Sequence, residues 1–83
     1  MDYDILAKIR RSKTKQQMLT FLQEPHTAVD LAKLLNKHKS SISRALFMME
    51  KLGLVECLNP DAPNYRYYKI TDKGKEYFKK VTS

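Results

Sequence analysis

Between Thr27 and Val55 the chain reads TAVDLAKLLNKHKSSISRALFMMEKLGLV, the stretch that most narrows what it can fold into. Apolar residues recur there at helical spacing, stop for four polar residues, and resume. Thr27 followed three positions later by Asp30 is a capping box, in which the Thr27 side chain accepts an orphan amide of the first turn. The Asp30 carboxylate sits in the positive end of the same helix. Leu31, Leu34 and Leu35, with Ala28 and Ala32, form one stripe predicted to be buried. Asn36, Lys37, His38 and Lys39 interrupt it. Ser40 is then the predicted N-cap of a second helix, which Gly53 at the C′ position ends. Helices are therefore predicted over 27–36 and 40–52.

At about 100° per residue the second helix places Ile42, Ala45, Leu46, Met49 and Leu52 on one side and Ser40, Ser43, Arg44, Phe47 and Lys51 on the other. Two short helices joined by a tight turn make the helix-turn-helix unit that reads DNA. The outward side carries what the major groove requires: hydroxyls for base edges, an Arg able to bond guanine bidentately, and an aromatic to touch a thymine methyl. Lys37 and Lys39 add charge beside it. The plain alternative is a solvated polar face. Phe47 argues against that, since an exposed Phe gains nothing from water; its contact divides between DNA and a partner subunit.

With 83 residues the chain is read as one small domain. A domain of this size buries only roughly 60% of its unfolded surface, so dimerisation would help it. The 16 basic residues exceed the 9 acidic ones to leave a formal charge of +7, which favours a polyanionic partner, nucleic acid first. Solubility alone is the competing explanation for such a charge. Cys57 is the single cysteine and reads as a small buried hydrophobe, with a redox or intersubunit thiol as the alternative; with only His26 and His38 as further soft ligands, no metal site is expected. No cofactor is expected either. The chain shows no apolar run of membrane-spanning length and no basic-then-apolar leader, so an intracellular, cytoplasmic protein is expected.

Outside the central unit, Ile5, Leu6 and Ile9 with Tyr3 mark an N-terminal helix over 1–11. Met18, Leu19, Leu22 and Phe21 mark a support helix over 13–24, opened by a second capping box, Thr14 with Gln17, and closed ahead of Pro25. After Gly53 the period changes. LVECL and YRYYKI are β-branched and aromatic runs separated by NPDAPN, predicting a hairpin over 54–70 with a long loop. Asn64, Tyr65 and Arg66 lie near its tip, within reach of a phosphate or the minor groove; an inert turn is the alternative, which Asp61 favours. Thr71 caps a last helix over 72–81, whose Tyr77, Phe78 and Val81 need a partner, the N-terminal helix of the same chain or of a second one.

The order helix, helix, turn, helix, strand, long turn, strand, helix defines a mostly α fold with a small β-hairpin (α+β). With LAKLLN, SSISRALFMMEKLGLV and YYKITDKGKEYF in these positions, the chain resembles the winged helix-turn-helix transcriptional regulators, particularly the small MarR-like and ArsR-like proteins of archaea and bacteria. The resemblance implies a homodimer formed by the terminal helices. It also implies that Ser40, Ser41, Ser43 and Arg44 face the major groove and that Arg66 approaches the backbone or minor groove. The cysteine and histidine clusters of metal-sensing ArsR-like proteins are missing, so metal control is not carried over. Phe47 and Met48 stand where relatives commonly have charged residues.

Sequence-specific binding of double-stranded DNA by a homodimeric transcriptional regulator is thus the leading expectation. A winged-helix module that holds other proteins, seeded by Phe47 and Met48, is the second. Stacking of single strands on Tyr65, Tyr67 and Tyr68 is a weaker third. No enzyme is expected, because no spacing resembles a nucleophile elbow or a metal-binding helix, and Gly53 and Gly74 alone cannot make a phosphate-cradling loop.

Overall fold

Five helices and a two-stranded antiparallel sheet follow one another in the computed structural model, which describes residues 1–83: α1 (Tyr3–Arg10), α2 (Lys13–Phe21), α3 (Ala28–Leu35), α4 (Lys39–Lys51), β1 (Val55–Cys57), β2 (Tyr68–Ile70) and α5 (Asp72–Thr82). This is the mostly α architecture with a β-hairpin wing that the sequence predicts. No helix is long and apolar enough to cross a membrane.

Helices α3 and α4 pack on each other, and both end through a left-handed residue. Asn36 (φ 54°) closes α3, with Lys37 N–H donating to Ala32 O at 2.9 Å. Gly53 (φ 80°) closes α4, with Leu54 N–H donating to Met49 O at 2.9 Å. The capping box at α3 is present in both directions, Thr27 Oγ1 accepting from Asp30 N–H at 3.1 Å and Asp30 Oδ2 from Thr27 N–H at 3.4 Å. Thr27 is itself buried.

One apolar cluster joins every element: Ile5, Leu6 and Ile9 of α1, Met18, Leu19 and Leu22 at α2, Leu31 and Ala32 of α3, Ile42, Leu46 and Met49 of α4, Leu54 just ahead of β1, Val55 and Ile70 of the sheet, and Tyr77 of α5. Burying each large side chain contributes about 1.5–3 kcal/mol. Helix α5 packs on α1 of its own chain, and Asp2 N–H donates to Tyr77 Oη at 2.6 Å, fastening the start of the chain to its end.

Several predicted details are corrected. The support helix is capped by Ser12, whose Oγ accepts from Lys15 N–H at 3.1 Å, and not by Thr14 with Gln17. The α1 carbonyls of Ile9 and Arg10 instead accept from Gln16 Nε2. That helix ends at Phe21 rather than 24, because Leu22 O accepts from Ile70 N–H at 2.8 Å and His26 exchanges both backbone hydrogen bonds with Tyr68. Helix α4 starts at Lys39, with His38 as an N-cap that makes no side-chain bond, so Ser40 lies in the first turn and the cap sits two residues earlier than predicted. Leu34 is 51% exposed, off the buried stripe that holds Leu31. The hairpin ladder is only Val55–Cys57 against Tyr68–Ile70, and Cys57 is half-buried rather than buried.

The two glycines do opposite work. Gly53 needs its positive φ, whereas Gly74 lies in a helix at a point where a Cβ would sit 2.1 Å from Leu54 O and 2.7 Å from Ile70 Cγ1. In an unconstrained helix Gly→Ala stabilises by about 1 kcal/mol. Here Gly74→Ala is expected to destabilise by about 3 kcal/mol as α5 is pushed off the strand. Gly53→Ala should cost about 1 kcal/mol, from the left-handed backbone alone. Urea unfolding midpoints check both, and a stabilised Gly74→Ala would show that α5 does not approach Leu54.

Candidate nucleic-acid interface

On α4 the buried residues Ile42, Leu46 and Met49 fix the helix's rotation, and they leave the opposite side to solvent. Ser40, Ser41, Ser43, Arg44, Phe47 and Lys51 are all exposed there, as are Lys37 in the turn and Lys39 at the helix start. Phe47 is 62% exposed, and Lys51 Nζ lies 5.1 Å from its ring centroid, near enough for a cation–π contact that partly covers the ring.

The wing stands beside the beginning of this helix. Between them runs an open cleft of about 500 Å³, lined by Lys39 and Ser43 from α4 and by Pro63, Asn64, Tyr65, Arg66 and Tyr68 from the wing, with Thr27, Ala28 and Val29 at α3. Of the predicted contact residues, the structure therefore brings Lys39, Ser43, Asn64, Tyr65 and Arg66 around one depression. Ser40, Ser41, Arg44, Phe47, Lys51 and Lys37 lie outside it, on the exposed side of α4 or in the turn before it.

Electrostatically the surface is uncompensated. No carboxylate lines the cleft, and no Lys or Arg of the chain stands within ion-pair distance of an acidic side chain; the single close pair of titratable side chains is His26 with Asp30, at 3.9 Å. Cations without internal partners keep their full attraction for an external polyanion. At the cleft wall, burial first, and then the neighbouring Cys57 and Glu50, push the Tyr68 phenol above its ordinary range, while Arg66 pulls it part of the way back. Tyr68 therefore faces the cleft as a neutral hydroxyl. No group of three or more His, Cys, Asp or Glu side chains is placed to hold a metal.

Sequence reasoning missed two contributors. Thr27, Ala28 and Val29 join the cleft because the α3 start lies under the wing, a relation that only the fold creates. Asn59 organises the wing loop: its Nδ2 donates to Tyr65 O at 3.1 Å and its Oδ1 accepts from Tyr67 N–H at 2.8 Å. Its signal was the Asn-Pro pair, which favours a turn at that point.

No protein-family model matches the sequence, and no curated protein matches it significantly. Solved structures do match. RV1404 from Mycobacterium tuberculosis superposes with a TM-score of 0.77 at 21% identity, over 93% of this chain and 56% of that one. The transcriptional regulator BldR from Sulfolobus solfataricus gives 0.76 at 23% identity, over 96% and 70%. ZitR of Lactococcus lactis, solved in complex with DNA, gives 0.71 at 16% identity, over 86% and 50%. The chain thus spans between about half and 70% of these proteins. MarR-family and PadR-family regulators are also among the matches. The fold of this chain is the winged helix of the MarR-like and PadR-like transcriptional regulators.

Proposed function

We propose that the chain binds double-stranded DNA in a sequence-specific manner, as a homodimeric transcriptional regulator. The observation that carries this reading is the outward side of α4, where hydroxyls, an Arg and a Lys lie exposed with no acidic partner, next to a wing that carries a further Arg. In this reading α4 enters the major groove. Ser40, Ser41, Ser43 and Arg44 meet base edges, Phe47 meets a thymine methyl, and Lys37, Lys39 and Lys51 meet phosphates. Asn64, Tyr65 and Arg66 follow the adjacent backbone or minor groove. ZitR, a protein of the same fold, is solved with DNA.

The homodimer is proposed through the terminal helices. Met1 and Tyr3, 53% and 75% exposed, and the half-buried Phe78 and Val81 are the apolar side chains these helices offer a second copy, since Ile5, Leu6, Ile9 and Tyr77 already pack internally. Twofold symmetry would then set two reading helices one DNA turn apart.

Three outcomes are expected. Selection of bound duplexes from a random library should return a palindromic site, and affinity for it should fall with salt at a log–log slope of roughly −5, for about six neutralised phosphates per dimer. Affinity that barely changes with salt would contradict the reading. Arg44→Ala should lose about 1–3 kcal/mol on that site and relax one base position, whereas Lys51→Ala should weaken selected and random duplexes alike. Equal losses on both duplexes for Arg44→Ala would remove it as a base reader. Light scattering should give twice the 9.7 kDa chain mass for the wild type and the single mass for Tyr3→Asp. An apo mass of one chain that stays single on DNA would remove the homodimer.

A further inference from the structure

Residues 58–67 connect β1 to β2, and a loop of this length would ordinarily be mobile. This one is cross-braced. Leu58 N–H donates to Tyr67 O at 2.7 Å, and Ala62 N–H donates to Asn59 O at 3.0 Å. Arg66 Nε donates to Ala62 O at 3.1 Å. The Asn59 carboxamide spans the loop from inside, using its donor on Tyr65 O and its acceptor on Tyr67 N–H.

The brace imposes its cost on one residue. Tyr65 is held at φ 55°, in the left-handed region that bulky side chains rarely adopt, although Gly or Asn would take that conformation with little strain. Nor does packing repay it, because Tyr65 is 73% exposed and its hydroxyl makes no hydrogen bond within the chain. A strained backbone under an outward-facing aromatic directs attention to what that ring meets outside the molecule. Arg66, the other outward candidate, is partly engaged, with Nε on Ala62 O and its head group beside the Tyr68 phenol. Tyr65 also lines the cleft that faces Lys39 and Ser43.

Resting on the duplex-DNA reading above, we propose that Tyr65 is an aromatic wedge that the wing inserts in the minor groove, and that Asn59 is the positioning residue that holds it there. Apolar side chains entering between base pairs from the minor groove partly unstack them and kink the duplex. Pyrimidine–purine steps yield to this most readily, and stiff A-tracts resist it. Such a wing reads deformability rather than base edges, and it does so with the ring rather than the hydroxyl. An arginine-led wing would show the reverse preference, for narrow A-tract grooves.

The test uses the duplex selected by the wild-type chain, resynthesised with TA, CA or AA at the step facing the wing. The wild type should bind the TA duplex about tenfold more tightly than the AA duplex. Tyr65→Asn and Asn59→Ala should both abolish that ratio. Tyr65→Asn should do so without lowering the thermal unfolding midpoint, since asparagine accepts the left-handed conformation. Tyr65→Phe should keep the ratio within about twofold. A TA/AA ratio that survives Tyr65→Asn or Asn59→Ala, or an A-tract preference in the wild type, would overturn the wedge. If Arg44→Ala still loses its base discrimination in that case, the duplex reading stands without it. A wild-type chain that selects no duplex would overturn both.

Discussion

Thr71 fixes the angle between the wing and α4. Its Oγ1–H donates to Gly53 O at 2.6 Å, the same oxygen accepts from Gly74 N–H at 3.0 Å, and its backbone N–H donates to Leu54 O at 3.0 Å. One residue thereby ties the end of α4, the entry to β1, the exit from β2 and the start of α5. From the other side, Leu22 O and the His26 backbone take hydrogen bonds from β2, so the base of the hairpin is held by both the support helix and the segment entering α3. Three ladder pairs would be marginal as an isolated hairpin. Anchored at the base and along the outer edge of β2, they become a rigid mount. Gly74 follows from this arrangement, because only a residue without a Cβ lets α5 come close enough for Thr71 to make all three bonds.

Features set by neighbours three or four positions apart were legible in the sequence. The Thr27–Asp30 capping box, the left-handed Gly53, the Thr71 cap and the outward rotation of Arg44 and Phe47 all depend on local chemistry and helical period alone. The misread details share a different origin. Ser12 and Thr14 are both competent caps, and the choice between them follows from Gln16 reaching back to α1, a contact between elements. Ser40 is a better intrinsic cap than His38, yet the left-handed turn at Asn36 brings the chain into helical register two residues earlier. Leu34 has the spacing of a core residue but lies on the part of α3 that no other element covers. The pairing of His26 with Tyr68 joins positions far apart in the chain, each in a segment too short to announce a strand.

The candidate interface divides along the same line. The exposed side of α4 could be read from a helical wheel, residue by residue. The cleft could not, since Lys39 and Ser43 meet Asn64, Tyr65 and Arg66 only because the mount at Thr71 turns the hairpin toward the start of α4. Asn59 was hidden for a related reason: a side chain that satisfies two backbone groups several residues away leaves no periodic trace, and its type is common in any polar loop.

Charge and shape then act over different distances. The formal +7 includes Lys8, Arg10 and Arg11 near α1 and Lys73, Lys75, Lys79 and Lys80 on α5, as well as the cations of α4 and the wing. The molecule measures 34 × 25 × 18 Å, and at physiological ionic strength a charge is felt over only about 8 Å. In the proposed complex, cations farther than this from the duplex would add to solubility and to weak encounter with any polyanion, but little to the bound state. In the proposed duplex reading, discrimination falls to the handful of groups whose positions the core dictates. On α4 that positioning comes from Ile42, Leu46 and Met49 packing inward, and on the wing from Thr71 at the base and Asn59 within the loop. Replacing any of these by another uncharged residue would leave the net charge untouched and still move the exposed groups that the proposed reading relies on.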